Sequence, residues 1–288
     1  MKLIRFGTFG NEKPGVHIKV KNYDVSSLVN DYDETFFAND GLGNLSNELK
    51  KNEDFLKEIS ENSRLGCPVA KPSKIVCVGL NYAKHAKETN AAIPSEPILF
   101  FKSTTSIVGP NDAIVIPKKS VKTDWEVELA VVISKKASYV EEIDAMNYVA
   151  GYCLHNDVSE REFQLERGGT WDKGKGCDSF APLGPWLVTK DEIADPHHLR
   201  LWLSLNGKIV QDSNTDDLIF NVPYLISYIS QFMTLLPGDI ISTGTPAGVG
   251  LGMNPPCYLK PGDIVALGID GLGTSKQIAE AYQPITNL

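Results

Sequence analysis

The segment Trp125-Glu126-Val127-Glu128-Leu129-Ala130-Val131-Val132-Ile133 opens with two glutamates one residue apart and closes as an unbroken apolar run. Read as a strand, it turns Trp125, Val127, Leu129, Val131 and Ile133 to one face and Glu126, Glu128, Ala130 and Val132 to the other. Both faces become apolar toward its end, so the strand is expected to be covered on both sides. Two carboxylates then point the same way at the mouth of an apolar environment. Such charges repel, and burial adds a cost to ionising them. A divalent cation removes both penalties, and an all-oxygen donor set suits Mg2+, Mn2+ or Ca2+ rather than Zn2+. Asp157 follows the candidate strand from Tyr148 and would add a third oxygen if that strand lies alongside. The bland reading is a solvated edge with two ordinary glutamates.

A second constellation lies in Gly79-Leu80-Asn81-Tyr82-Ala83-Lys84-His85-Ala86-Lys87-Glu88. With Asn81 as helix N-cap, His85 and Glu88 fall at i and i+3 on one face. A carboxylate beside an imidazole orients the ring and makes it a better base; a surface ion pair is the plainer alternative. Ser159 and Glu162 have capping-box spacing, and Arg161 and Gln164 share a face one turn beyond Asp157. There they would meet a substrate carboxylate or hydroxyl, or simply solvent. Lys175 is central to the glycine-punctuated stretch 170–180, which is no Walker A. The glycines of 248–252 are no dinucleotide fingerprint, because Pro255-Pro256 excludes a following helix. Cys177 reads as a bystander, and His197-His198 as a surface pair.

These residues need many short strands to hold them. Strands are predicted at Leu3–Phe9, Val16–Val20, Ile75–Val78, Pro97–Lys102, Ala113–Ile116, Trp125–Ile133, Tyr148–Leu154, Leu199–Leu205, Asp239–Ser242 and Asp263–Leu267. The last two are each entered through a Pro-Gly-Asp turn. Helices are predicted at Asn44–Ile59, Ala83–Thr89, Ser159–Glu166 and Val222–Phe232. The fold class is therefore mostly β (α+β). A small N-terminal α+β domain is expected over 1–68 and the catalytic domain over 69–288, with Pro68 and Pro72 marking the boundary. The chain has 288 residues and a net charge of −8. This acidity disfavours a nucleic-acid partner. No apolar run is long enough for a membrane span, and the cytoplasm is the default location. Five widely spaced cysteines without a C-x-x-C suggest reduced thiols rather than a zinc site or a disulfide framework.

Taken in order, five segments resemble the fumarylacetoacetate hydrolase family. They are Val78-Gly79-Leu80-Asn81-Tyr82-Ala83-Lys84-His85, Trp125-Glu126-Val127-Glu128-Leu129 and Gly151-Tyr152-Cys153-Leu154-His155-Asn156-Asp157. Lys173-Gly174-Lys175-Gly176-Cys177-Asp178 and Gly238-Asp239-Ile240-Ile241-Ser242-Thr243-Gly244-Thr245-Pro246 follow. The N-terminal extension and the segment 171–178 look most like the bacterial branch that includes 2,4-diketo-3-deoxy-L-fuconate hydrolase, whose members often carry the label ureidoglycolate lyase. The resemblance implies a mixed β-roll, a homodimer, and one Mg2+ or Mn2+ per subunit. It makes Glu126, Glu128 and Asp157 the metal ligands. His85 and Glu88 become a water-activating dyad, with Lys175 a catalytic lysine near the metal. Arg161, Gln164 and Thr245 match substrate-contacting positions, and Asn81 is counted with them. Gly176 departs from the Ser of many members. The implied activity is metal-dependent cleavage of a carbon–carbon bond in a 2,4-diketo acid, giving pyruvate. The substrate is a small anionic keto acid of the acylpyruvate type, a 2,4-diketo-3-deoxy sugar acid being one form. Oxaloacetate decarboxylation, dienol tautomerisation, ureidoglycolate lysis and a non-catalytic binding role remain alternatives.

Overall fold

The computed structural model describes residues 1–52, 55–88 and 91–284. A large mixed sheet organises them. Its strands run in the order Lys57–Glu58, Lys21–Asp24, Lys13–Ile18, Lys2–Phe6, Leu187–Thr189, Val149–Asn156, Val127–Ile133, Ile240–Ser242, Ile75–Gly79 and Ile98–Lys102. Leu65–Gly66 pairs with Lys2–Phe6 off this path. A second sheet orders Lys208–Asn214, Arg200–Leu205, Ile264–Ile269, Gly273–Ala281 and Ile114–Ile116. The protein is thus mostly β (α+β). Among the described residues no helix is long and apolar enough to cross a membrane.

The strand Val127–Ile133 separates two apolar cores, as its alternation requires. Trp125, Val127, Leu129, Val131 and Ile133 join one core with the second sheet and the helix Val222–Phe232. Ala130 and Val132 join the other with Leu3, Val16, Phe36 and Phe37. The sheet therefore runs across the boundary expected near Pro68, since Lys2–Phe6 pairs with Leu187–Thr189. Both Pro-Gly-Asp turns enter strands, with Gly238 at φ +86° and Gly262 at φ +94°, as the third position of a type II turn demands.

Several boundaries differ from expectation. The carboxylate strand begins at Val127, because Asp124 and Glu160 belong to a separate two-stranded ribbon. Ser159 is likewise in that ribbon, so it caps nothing. The helix Arg161–Leu165 is capped instead by the Glu160 side chain, which accepts from the Glu162 N–H. The long N-terminal helix spans Gly41–Asn52, not 44–59. Beyond it Lys57–Glu58 pairs with Tyr23 and Asp24 as an edge strand, and Phe55 is exposed. The expected helix end at Thr89 lies outside the described residues; the helix is described over Ala83–Glu88.

Candidate active site

Strand register assembles the acidic residues. Val127 lies opposite Asn156 and Glu128 opposite His155 in the antiparallel pair. One step further, where the ladder ends, Glu126 faces Asp157: the Asp157 N–H donates to the Glu126 carbonyl at 2.9 Å. The Asn156 side chain continues the ladder by accepting from the Glu126 N–H. Ligand-capable oxygens of Glu126, Glu128 and Asp157 lie within 4.8 Å of one another, and all three residues are buried. Lys175 donates to Glu126 Oε2 at 2.6 Å and to Asp157 Oδ2 at 2.7 Å. The expected convergence of three acids and a lysine is therefore present.

The cluster is larger than the sequence suggested. Lys102, 3% exposed, donates to Asp157 Oδ1 at 2.6 Å. The Arg161 guanidinium spans Asp124, Glu126 and Gln164 at 2.7–3.0 Å. Four carboxylates thus face three cations, where sequence reasoning counted three carboxylates and one lysine. Lys102 ends a strand in which Phe100 and Lys102 share a face; that period-2 alternation was the available signal.

Glu128 is the odd member. Ser242 Oγ and the Gly244 N–H donate to its Oε2 at 2.5 and 2.9 Å, but among the described residues no cation forms an ion pair with it. Burial, with Asp157 and Glu126 as like-charged neighbours, pushes its carboxyl well above the usual range. Burial acts on Asp157 in the same sense, yet Lys102 and Lys175 together outweigh it and hold that carboxyl well below its ordinary value. Lys175 loses to burial less than it gains from Asp157 and Glu126, so it stays protonated. An extra cation at the triad would relieve the one uncompensated carboxylate. All-oxygen donors at this spacing fit a hard divalent ion.

His85 and Glu88 lie on one turn of their helix, Nδ1 3.3 Å from Oε2. The other anchor of Glu88 is the Gly248 N–H, which reaches both of its oxygens at 3.0 and 3.1 Å. From the same glycine-rich loop the Gly250 and Leu251 N–H groups donate to Asp124. The loop therefore cradles anions, as such backbone does, but the anions are the protein's own side chains. A Cβ on Gly252 would lie 2.4 Å from the Glu88 carboxyl carbon.

Asn81 is no helix cap. Its amide bonds the Phe220 N–H and the carbonyls of Phe220 and Thr243, stapling the His85 segment to two others. Thr245 Oγ1 donates to the Val127 carbonyl and accepts from Gln211. Asn81 and Thr245 are both held by protein atoms. Cys177 is pushed up to about 11 by burial and stays a thiol. His198 is exposed, whereas His197 Nε2 accepts from the Val222 N–H at 3.1 Å. A cavity of about 250 Å3 joins His85, Glu126, Glu128, Arg161, Lys175 and Thr245.

Residues 74–278 match the model of the fumarylacetoacetate (FAA) hydrolase C-terminal family. The chain belongs to the fumarylacetoacetate hydrolase family. A relative from Burkholderia multivorans, named only as a candidate hydrolase, is 51% identical over 283 residues, 98% of this chain and 99% of its own. The fumarylacetoacetate hydrolase of Exiguobacterium antarcticum superposes with a TM-score of 0.84 at 33% identity, covering 98% of this chain and 100% of its own. The maleylpyruvate hydrolase of Sphingobium sp. SYK-6, solved with manganese(II) and pyruvate, gives 0.82 at 29% identity over 98% and 100%. A 2-hydroxyhepta-2,4-diene-1,7-dioate isomerase from Mycobacterium marinum gives 0.75 at 31% over 98% of each chain. Membership of this enzyme family agrees with a hydrolase-type activity for the cavity.

Proposed function

We propose that the protein is a divalent-metal-dependent hydrolase that cleaves an acylpyruvate, a 2,4-diketo acid, into pyruvate and a carboxylic acid. One observation carries this reading: Glu126, Glu128 and Asp157 are buried with oxygens within 4.8 Å of one another, Glu128 forms no ion pair among the described residues, and Glu126 and Glu128 line a cavity shared with His85, which Glu88 holds. Glu126, Glu128 and Asp157 would hold Mg2+ or Mn2+. When bound, the ion would supply Lewis-acid stabilisation of the charge that develops on the 2-oxo acid half. The manganese and pyruvate in the Sphingobium relative support this choice.

The chain's own residues account for the proton movements. Glu88 engages Nδ1 of His85, and Nε2 would be the nitrogen that takes a proton from water. The oxygen of that water adds to the C4 carbonyl, the C3–C4 bond breaks, and its electron pair leaves with the three-carbon fragment. Protonation of C3 by the imidazolium completes pyruvate, while the acyl fragment departs as its acid. Lys175 keeps Glu126 and Asp157 aligned and contributes positive charge beside the reacting carboxylate. Decarboxylation of oxaloacetate and dienol tautomerisation need no activated water, so the His85–Glu88 pair favours hydrolysis.

The test is pyruvate release from acetylpyruvate and oxaloacetate, and glyoxylate release from ureidoglycolate, each with and without Mn2+. Ion-dependent release from acetylpyruvate is expected. Glu126→Gln should abolish it, and His85→Ala should lower turnover at least 100-fold while Mn2+ still binds. Undiminished activity in Glu126→Gln would refute the metal-site assignment.

A further inference from the structure

Resting on the acylpyruvate reading, we infer that the acyl half of the substrate is a short, uncharged, apolar chain, selected by a wall built from Trp171 and Phe100. The cavity of about 250 Å3 is smaller than the roughly 300–1,000 Å3 of drug-sized sites. Besides the charged groups, His85, Gln164 and Thr245, its lining includes the apolar side chains of Leu80, Phe100, Leu165, Trp171 and Leu251.

Two features disfavour a second carboxylate or a polyhydroxylated chain. The lining cations Arg161 and Lys175 already serve internal carboxylates. Each Arg161 nitrogen holds a partner, and Lys175 bridges Glu126 and Asp157. A distal carboxylate would be buried against apolar side chains without a matching charge, which is costly. Sugar hydroxyls would each need a hydrogen-bond partner, yet the Thr245 hydroxyl already donates to Val127 and accepts from Gln211, which leaves it one lone pair.

The wall is held rigidly. Phe100 and Trp171 meet at 5.4 Å between ring centroids, tilted by 60°. The indole rests on the backbone of Gly79: a Cβ there would fall 2.4 Å from Cζ3 of the ring. Trp171 immediately precedes the short helix Asp172–Lys175, so the residue that bounds the tail is joined to the lysine of the charged cluster. Lys175 Nζ in turn lies 4.9 Å from the Phe100 ring centroid.

A binding series separates this inference from the reaction it rests on. The Mn2+-loaded full-length protein is titrated calorimetrically with 2-oxo acids that have no cleavable C4 carbonyl. Pyruvate, 2-oxobutanoate, 2-oxopentanoate and 2-oxohexanoate form the apolar ladder; 2-oxoglutarate adds a second carboxylate, and 2-keto-3-deoxygluconate adds hydroxyls. Affinity is expected to rise about fourfold per buried methylene, with both polar probes at least tenfold weaker than the apolar acid of equal chain length. Trp171→Ala should flatten the ladder. Gly79→Ala should cut it short by driving the indole into the cavity. Equal or tighter binding of either polar probe overturns the inference, and the wild-type series decides it even if a variant fails to fold. A steep ladder without acylpyruvate cleavage would retire the reaction and keep the tail preference; cleavage without a ladder would do the reverse.

Discussion

The two ends of the strand Val127–Ile133 are equally shielded from solvent and chemically opposite. At its far end Val131 and Ile133 are 0% exposed among apolar neighbours, and at its near end Glu128 is 2% exposed among carboxylates, lysines and an arginine. Both ends are paired to the same neighbouring strand. The far end gains stability by removing methyl groups from water. At the near end that gain is spent on desolvating charge, which only a full set of counter-charges offsets. Burial alone therefore does not set the two ends apart; a buried carboxylate with no ion pair among the described residues does.

The largest effect expected from this contrast is at Lys102. Lys102→Met removes one partner of a fully buried pair with Asp157 and should cost about 3–5 kcal/mol in urea unfolding. Ile133→Val at the apolar end should cost only about 0.5–1.5 kcal/mol and leave Mn2+ binding untouched. If saturating Mn2+ does not shrink the Lys102→Met deficit, the two ends differ less than the charges imply. Next comes Ser242→Ala. Ser242 Oγ orients Glu128 and sits 2.6 Å from His155 Nδ1. Its loss should weaken Mn2+ about tenfold by calorimetry, with little change in the melting temperature of the ion-free protein.

The smallest effect is a slope against pH. Burial lowers His155 to about 3, well below its unfolded value of about 6.5. Between those values the unfolded chain binds the extra proton, so His155 favours folding fully above pH ~6.5 and loses that contribution as pH falls toward 3. His155→Asn should show a shallower decline in melting temperature from pH ~6.5 to ~5. An unchanged slope would mean that the buried imidazole does not titrate as described.

Much of the site was legible because it depends on alternation and register. Period-2 reading put Glu126 and Glu128 together, and Asp157 needed only the neighbouring strand to be antiparallel. Lys102 and Asp124 escaped notice because charged residues at strand ends usually face water, and only the fold shows them turned inward. Ser159 and Asn81 were misread as caps for a related reason. A local hydrogen-bonding rule cannot anticipate that Ser159 is taken by a ribbon with Asp124, or that the Asn81 amide reaches Phe220 and Thr243. The overlong N-terminal helix has a similar origin. Ile59 is buried, but against the sheet beside Gly15 rather than on a helix face.

The loop from Gly248 to Gly252 clasps Glu88 with one amide and Asp124 with two others. The proposed proton-handling pair and, through Arg161, the brace of Glu126 are thus tethered to a single short ribbon of backbone. Neither can be retuned there without disturbing its companion, so diversification within this lineage has more freedom at positions outside this ribbon.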